Sequence, residues 1–403
     1  MKKKILFVIN TLGHAGAEVA LSGLLNALDK TKYDISLYVL LGQGELMSQI
    51  PPEVKILNKK YNELSVLCAQ GKRNMMKTVL KSCLRRATII RRFPYIIKNL
   101  FKMIKNKQIL TEKLLWRIVA DGADRFSEEY DLAVAYLEGG SAYYTADYVK
   151  AKKKAAFVHV DYIKAGYSRS LDLKSYMFYD RIFAVSDEVK QSFLKVYPEF
   201  FSKTKIFHNL IDIEKIKKRA AEKGGFEDNF DGIRLLTVGR LTWQKAYEVA
   251  IDAMALLKKQ YNNVKWYVLG EGSQREFLEK RISKLKLEDD FILMGAVNNP
   301  FPYYVQCDIY VHATRFEGKS IAIQEAQTLG CAIVASDCSG NREQINNEED
   351  GLLCQFDAVS IKNAILELIN DKEKRVRFGE AAANRKLIYE EDMGLLFELM
   401  SEE

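Results

Sequence analysis

A glycine-arginine pair, Gly239-Arg240, with Lys245 five residues further on, places two cations just past the apolar run Arg234 to Val238. That run reads as a strand of a parallel sheet, and the carboxyl end of such a strand is where open α/β folds bind ligands. A diphosphate is the natural counter-ion. A second run, Val264 to Leu269, ends in Gly270-Glu271-Gly272, small residues that would let a flat group such as a nucleobase approach the backbone. The third element is Glu317-Gly318-Lys319-Ser320-Ile321-Ala322-Ile323-Gln324-Glu325. Here Glu317 falls in a loop, Gly318 to Ile321 present N–H groups at a helix start, and Glu325 lies about two turns along that helix. One carboxylate can meet sugar hydroxyls and the other ribose hydroxyls. Gly318-Lys319-Ser320 imitates the end of a P-loop, but that motif demands glycine at 313, where the chain has Ala313. Taken singly, each feature is equally what turn glycines and solvated charges look like. Their succession along one half of the chain is what carries weight.

The first half offers a weaker signal of the same kind. Strand Ile5 to Ile9 is followed by a turn with Gly13 and Gly16 and then a helical pattern at Val19, Leu21, Leu24, Leu25 and Leu28. A glycine turn at a helix start offers unpaired N–H groups to an anion, though many such turns are only tight connections. His159 ends the apolar stretch Ala155 to Val160 with Asp161 close by, and is readable either as a core-edge histidine or as a functional one.

The elements that must position these residues alternate strand and helix. Further strands are expected at Ile35 to Leu41, Leu132 to Leu137 and Ile182 to Val185, with Ser186 capping the next helix. The second half adds Phe291 to Met294, Ile309 to Val311, Ala332 to Ala335 and Leu352 to Cys354. A chain of 403 residues is long enough for two domains of about 200 residues each. The expected division is 1–206, 207–385 and a C-terminal segment 386–403 that packs back toward the first domain, with the polar stretch Ala221 to Gly232 as a surface connection.

The six cysteines form no C-x-x-C pair and the four histidines have no ligand spacing, which argues against structural zinc and for buried reduced thiols. Lys2, Lys3 and Lys4 precede an apolar run too short for a signal peptide, and no stretch approaches the roughly 18 apolar residues of a membrane span. The chain is therefore expected in the cytoplasm.

Gly239-Arg240 with Lys245, Gly270-Glu271-Gly272, the Glu-x7-Glu pair 317/325, Gly330, and Gly340 with Glu343 fall in the order and spacing of the family-four glycosyltransferases, which the sequence resembles over about residues 205 to 360. Gly13-His-Ala-Gly16-Ala-Glu18, Asp180-Arg-Ile-Phe-Ala-Val-Ser186 and Asn209-Leu-Ile-Asp212 look like that family's first-domain loop, strand and hinge. The resemblance implies the GT-B fold, two doubly wound Rossmann-like α/β domains facing across a cleft, and a retaining, metal-independent hexosyl transfer from a nucleotide-sugar, read as a UDP-sugar. It implies that Arg240 and Lys245 hold the donor diphosphate beside Gly239, that Glu325 holds the ribose, and that Glu317 with the Gly318, Lys319, Ser320 and Ile321 backbone holds the transferred sugar. Gly16 would meet the phosphate from the other domain, Gly270, Glu271 and Gly272 would line the donor site, and His159 would lie near the reacting sugar. Lys319 and Ser320 stand where the family has an aromatic residue and proline, and Ala246 where it has glycine; both departures bear on donor choice. An epimerase of the same fold and a non-catalytic nucleotide-sugar-binding partner are the competing readings, and Glu138 is a poor candidate for a nucleophile in a double displacement.

Charge adds a second theme. Between Lys72 and Arg117 there are 14 Lys and Arg against the single acid Glu112, a net of +13, whereas the whole chain carries +8. After Pro94, Ile96, Ile97, Leu100, Phe101 and Ile104 share a helical face bordered by Lys98, Lys102 and Lys105. A basic amphipathic insert of this kind fits an anionic membrane surface, where each basic residue contributes about 1 kcal/mol; the alternative is an acceptor-domain helix whose apolar face packs in the core and whose lysines are solvated. The expected acceptor is then a lipid-linked saccharide or another glycan in cell-surface polysaccharide assembly, at the inner face of the membrane. No nucleic-acid motif accompanies the charge.

Overall fold

The computed structural model describes residues 2–66, 68–105, 111–167, 169–387 and 390–401. Its contacts divide the chain into Met1–Leu210 with Tyr389–Glu403, and Ile211–Ile388.

The first unit runs β1 (Lys3–Ile9), α1 (Gly16–Ala27), β2 (Tyr33–Val39), β3 (Lys55–Ile56), α2 (Ala69–Leu84), α3 (Thr88–Lys105), α4 (Thr111–Gly122), β4 (Glu129–Ala135), α5 (Gly140–Tyr148), β5 (Lys150–Val158), α6 (Arg169–Tyr176), β6 (Arg181–Ala184), α7 (Asp187–Val196) and β7 (Thr204–Ile206). Every pairing is parallel, in the order β3-β2-β1-β4-β5-β6-β7. The strand direction of chain progress therefore reverses between β1 and β4, the switch point of a doubly wound sheet. Ile5 to Ile9 are all buried, as a strand covered by helices on both faces must be.

The second unit runs α8 (Ile213–Ala220), β8 (Ile233–Val238), α9 (Tyr247–Leu257), β9 (Val264–Leu269), α10 (Arg275–Lys284), β10 (Phe291–Gly295), α11 (Phe301–Gln306), β11 (Ile309–His312), α12 (Ile321–Thr328), β12 (Ala332–Ser336), α13 (Ser339–Arg342), β13 (Leu352–Cys354), α14 (Ala358–Asn370) and α15 (Lys372–Ala383). Its parallel sheet has the order β10-β9-β8-β11-β12-β13, with the switch between β8 and β11. Trp266, Ile251, Met254, Phe291 and Phe378 centre its core. The last helix, α16 (Glu390–Leu399), belongs to the first unit: Phe397 stacks on Tyr33 at 5.2 Å, and Asp392 Oδ2 accepts from the His208 backbone N–H at 2.7 Å.

The stretch 221–232 runs mostly exposed from α8 to β8, pinned where Phe226 packs on Tyr267 at 4.4 Å and Asp228 pairs with Arg234 at 2.8 Å. Other expectations are corrected. Of the six free cysteines only Cys331 is buried; Cys68 is exposed because it caps α2, its Sγ accepting from Gly71 N at 3.2 Å. Pro94 sits inside α3, which starts at Thr88 after a break where Arg86 and Ala87 take φ values of 55° and 52°.

The expected apolar face splits as well. Ile96 packs with Met103, Leu114 and Leu171, while Ile97, Phe101 and Ile104 join Ile90 and Phe93 on an exposed stripe. Part of the basic excess is neutralised internally: Lys113 pairs with Asp172 at 3.0 Å, Arg117 with Asp147 at 3.2 Å, Arg85 with Asp124 at 2.6 Å, and Arg92 with Asp121. Residues 106–110, and the side chains of Lys102 and Lys105, lie outside those described. Among the described residues no helix is long and apolar enough to cross a membrane.

Candidate functional site

Because β8 and β11 are neighbours, with Leu235 opposite Ile309 and Leu236 opposite Tyr310, the loops that leave their carboxyl ends lie side by side. The β8 loop carries Gly239, Arg240 and Lys245; β11 ends in His312 and its loop carries Glu317 and Gly318. Lys245 Nζ reaches Glu317 Oε2 at 2.7 Å and stands 3.4 Å from His312 Nε2. Gln244 Nε2 donates to Glu317 Oε1 at 2.9 Å, and Tyr310 OH stands 3.0 Å from His312 Nδ1. Burial pushes the Glu317 carboxyl upward, but the Lys245 ammonium and the His312 ring overcome it and hold the pKa down at about 2. His312 is itself lowered, by burial first and then by the Lys245 charge. The Glu317 carboxylate is thus held ionised, while burial and the lysine charge disfavour a proton on the imidazole.

Arg240 is exposed and, among the described residues, has no ion-pair partner. A guanidinium without an ion-pair partner on the loop that also carries Lys245 leaves positive charge at the carboxyl end of β8, which suits an anionic ligand.

The glycines of the β9 loop serve the backbone next to them. A Cβ on Gly270, where φ is 155°, would stand 1.9 Å from Gly239 O, and one on Gly272 would stand 2.3 Å from Leu241 O. The two loops are laced by Gly239 N to Leu269 O at 2.9 Å and Leu241 N to Glu271 O at 3.0 Å. The close approach expected of a nucleobase is on this side taken by the 239–241 segment. Glu271 is engaged by Arg275 at 3.1 Å.

Ser320 caps α12, its Oγ accepting from Ile323 N at 3.4 Å. Its own N–H, expected to face a ligand, donates to Gln344 Oε1 at 2.7 Å, and its carbonyl accepts from Gln344 Nε2 at 2.9 Å. Lys319 is half-buried and Ile321 opens the helix. Glu325, on the next turns, is buried with Tyr304 OH at 3.0 Å; burial raises its pKa to about 7 despite that hydrogen bond.

In the first unit the sites expected from sequence gather at the carboxyl edge of that sheet. Gly16 is the first residue of α1, whose start is already served by Glu18: its Oε2 accepts from Ala15 N at 3.0 Å. Asn10 ties β1 to β4, donating to Glu138 O at 3.1 Å and accepting from Ser141 N at 2.7 Å. Glu138 is buried and its Oε1 takes the N–H groups of His159 and Val160, so its carboxylate joins β4 to β5. Asp161 spends its Oδ1 on the N–H groups of Ile163 and Lys164, both at 3.0 Å, away from the His159 ring. His159 packs near Tyr136 with a ring separation of 5.2 Å, its buried Nε2 has no partner among the described residues, and burial lowers its pKa to about 4.

The reading from sequence missed His312, Gln244, Tyr304 and Gln344. His312 carried one usable signal, its place at the end of a strand five residues before Glu317; the others are linked to the site only by contacts distant in sequence. Among the described residues no group of three or more His, Cys, Asp or Glu is placed to hold a metal ion.

Residues 219–385 match the family model described as glycosyl transferases group 1. The chain is 34% identical over 185 residues to the N-acetylgalactosamine-N,N'-diacetylbacillosaminyl-diphospho-undecaprenol 4-alpha-N-acetylgalactosaminyltransferase of Campylobacter jejuni, covering 45% of this chain and 49% of that one. It is 26% identical to the poly(glycerol-phosphate) alpha-glucosyltransferase of Bacillus subtilis over 37% of this chain and 22% of that one. The chain thus spans about half or less of the length of these curated relatives. Among solved structures, Anabaena HepE in complex with UDP and glucose superposes with a TM-score of 0.67 at 17% identity over 100% of both chains. Sucrose-phosphate synthase from Thermosynechococcus elongatus gives 0.67 at 14% identity over 99% of both. The two parallel, doubly wound sheets are thus a fold shared with these structures, and the second unit carries the stretch that matches the glycosyl transferases group 1 model.

Proposed function

We propose that the protein is a retaining glycosyltransferase of family-four type that moves a sugar from a nucleotide-sugar, read as a UDP-sugar, to a lipid-linked saccharide or another glycan. The observation that carries this reading is the Lys245–Glu317–His312 cluster at the β8/β11 switch point, with the exposed Arg240 on the same loop as Lys245, within the segment matched to group 1. The UDP complex of HepE and the diphospho-undecaprenol and poly(glycerol-phosphate) acceptors named for the two relatives support the donor and acceptor classes.

As the bond from the anomeric carbon to the diphosphate oxygen breaks, negative charge grows on the leaving group. Arg240 and Lys245 are there to stabilise it, so the step calls for no metal. Glu317, kept ionised, meets the hydroxyls of the transferred sugar, while Glu325 meets the ribose. His159, kept neutral, offers Nε2 near the reacting sugar. The acceptor hydroxyl attacks on the face the diphosphate leaves, and its proton passes to the departing phosphate oxygen. The exposed stripe of α3 and the unpaired cations of 72–117 would hold the enzyme at the inner, cytoplasmic face of an anionic membrane, within reach of a lipid-linked acceptor.

Thermal-shift titration with uridine, guanosine and adenosine diphosphate sugars tests the donor, since a ligand bound to the native state raises the melting point. A shift with a UDP-sugar that Arg240→Ala abolishes is expected. No shift with any nucleotide-sugar, or epimerisation of the donor alone, overturns the reading.

A further inference from the structure

The first unit holds a cavity of about 380 Å³ that none of the chemistry above uses, framed by the segments after β2 and β3 and by α2 and the end of α4. Lys60, Lys77, Lys81 and Arg85 line it, together with one carboxylate, Asp124. Arg85 pairs with Asp124 at 2.6 Å. Among the described residues Lys60, Lys77 and Lys81 have no ion-pair partner. Lys77 and Lys81 stand one turn apart on α2, where like charges repel, and Ala69–Leu84 contains no acid to relieve them. Three ammonium groups around one polar cavity are an arrangement that a phosphate completes.

The neighbouring edge of the same helix is apolar and open. Met76, Leu80 and Leu84 recur every four residues and are 58%, 56% and 78% exposed. At 100° per residue this row adjoins the edge that carries Lys77 and Lys81. A charged cavity bordered by an exposed hydrocarbon-like row matches a ligand that is itself an anion on a hydrocarbon chain.

We propose that this cavity seats a phosphate or diphosphate group carried by a lipid, with the lipid chain lying along Met76, Leu80 and Leu84. The proposal deepens the membrane reading of 72–117 and rests on it for the source of the ligand. The charge complementarity stands on the cavity alone.

Calorimetric titration of the full chain with farnesyl diphosphate and with inorganic pyrophosphate tests it, alongside co-sedimentation with vesicles of phosphatidylcholine, with and without phosphatidylglycerol. Farnesyl diphosphate should bind at least about 10-fold more tightly than pyrophosphate. Lys77→Ala/Lys81→Ala should weaken both by at least a similar factor, and Leu80→Ser/Leu84→Ser should erase the difference while sparing pyrophosphate. Because Arg240 and Lys245 are also read as diphosphate ligands, the comparison is repeated in Arg240→Ala, where the loss from the lysine pair should persist. Unchanged binding in the lysine variant, with its melting point intact, overturns the cavity assignment. Equal affinity for the two probes overturns the lipid source. A protein that binds farnesyl diphosphate through Lys77 and Lys81 yet ignores anionic vesicles upholds the cavity and sinks the membrane reading instead.

Discussion

Lys245 Nζ lies 2.7 Å from Glu317 Oε2, although the two residues are 72 positions apart. Each is the other's principal electrostatic partner, with side-chain exposures of 17% and 8%, and the pair stands on two different loops that meet because β11 returns beside β8.

Arg240 and Lys245 should therefore separate in a stability measurement while agreeing in an activity measurement. Lys245→Met strands a buried carboxylate and should cost about 3 kcal/mol in chemical denaturation. Lys245→Met/Glu317→Leu should recover much of that. Arg240→Ala, at an exposed and unpaired position, should stay within about 0.5 kcal/mol of the parent. Both Arg240→Ala and Lys245→Met should lose on the order of 100-fold in turnover, because each removes a partner of the leaving diphosphate. Near-normal turnover in both would refute their role.

Glu325 and Glu317 should give opposite pH signatures. Glu325 has its folded pKa raised to about 7, so between its ordinary 4.5 and 7 the native state holds a proton that the unfolded chain has released, and stability falls as pH rises through that window. Glu317 is held at about 2, so its contribution is complete above 4.5 and is lost as pH falls toward 2. Glu325→Gln should stabilise the protein at pH 8 by up to about 3 kcal/mol, leave it nearly unchanged at pH 4, and weaken donor binding. A pH-independent effect on the melting point would contradict the burial of the charge.

His159 should remain neutral across the physiological range. Its folded pKa of about 4 means that stability drops as pH falls from 6.5 toward 4, where the unfolded chain takes a proton that the native ring resists. Nitrogen-15 NMR of the imidazole should show a midpoint near 4; a midpoint near 6.5 would contradict the buried Nε2. His159→Phe should fold, since the ring packs beside Tyr136 and Phe157, yet lose at least about 10-fold in transfer.

Ala246 links the β8 loop to α9 in the left-handed region, with φ 50° and ψ 39°, and is fully buried. Ala246→Gly should stay within about 1 kcal/mol of the parent, since relief of the strained φ offsets the entropy of glycine. Ala246→Val adds a branched Cβ at the same φ in a closed space and should cost about 2 kcal/mol or more. Equal stability of the two variants would argue against the left-handed turn.

What could be read without coordinates was local. An apolar run such as Ile5 to Ile9 or Val264 to Leu269 announces a strand buried on both faces, and a glycine at its carboxyl end announces the turn that follows, because both are properties of consecutive residues. The same reasoning marked Gly239, Arg240, Lys245, Glu317 and Glu325 as a set. Short edge strands such as Lys55–Ile56 and Thr204–Ile206 escaped, having too few residues to show a period. The order of the sheets was decided by tertiary structure alone, and with it which loops are neighbours. Hence the pairing of Lys245 with Glu317, the recruitment of His312 and Gln344, and the capture of Lys113 by Asp172 were all hidden, since each joins residues that only the crossover of a parallel sheet or the packing of distant helices brings within hydrogen-bond reach.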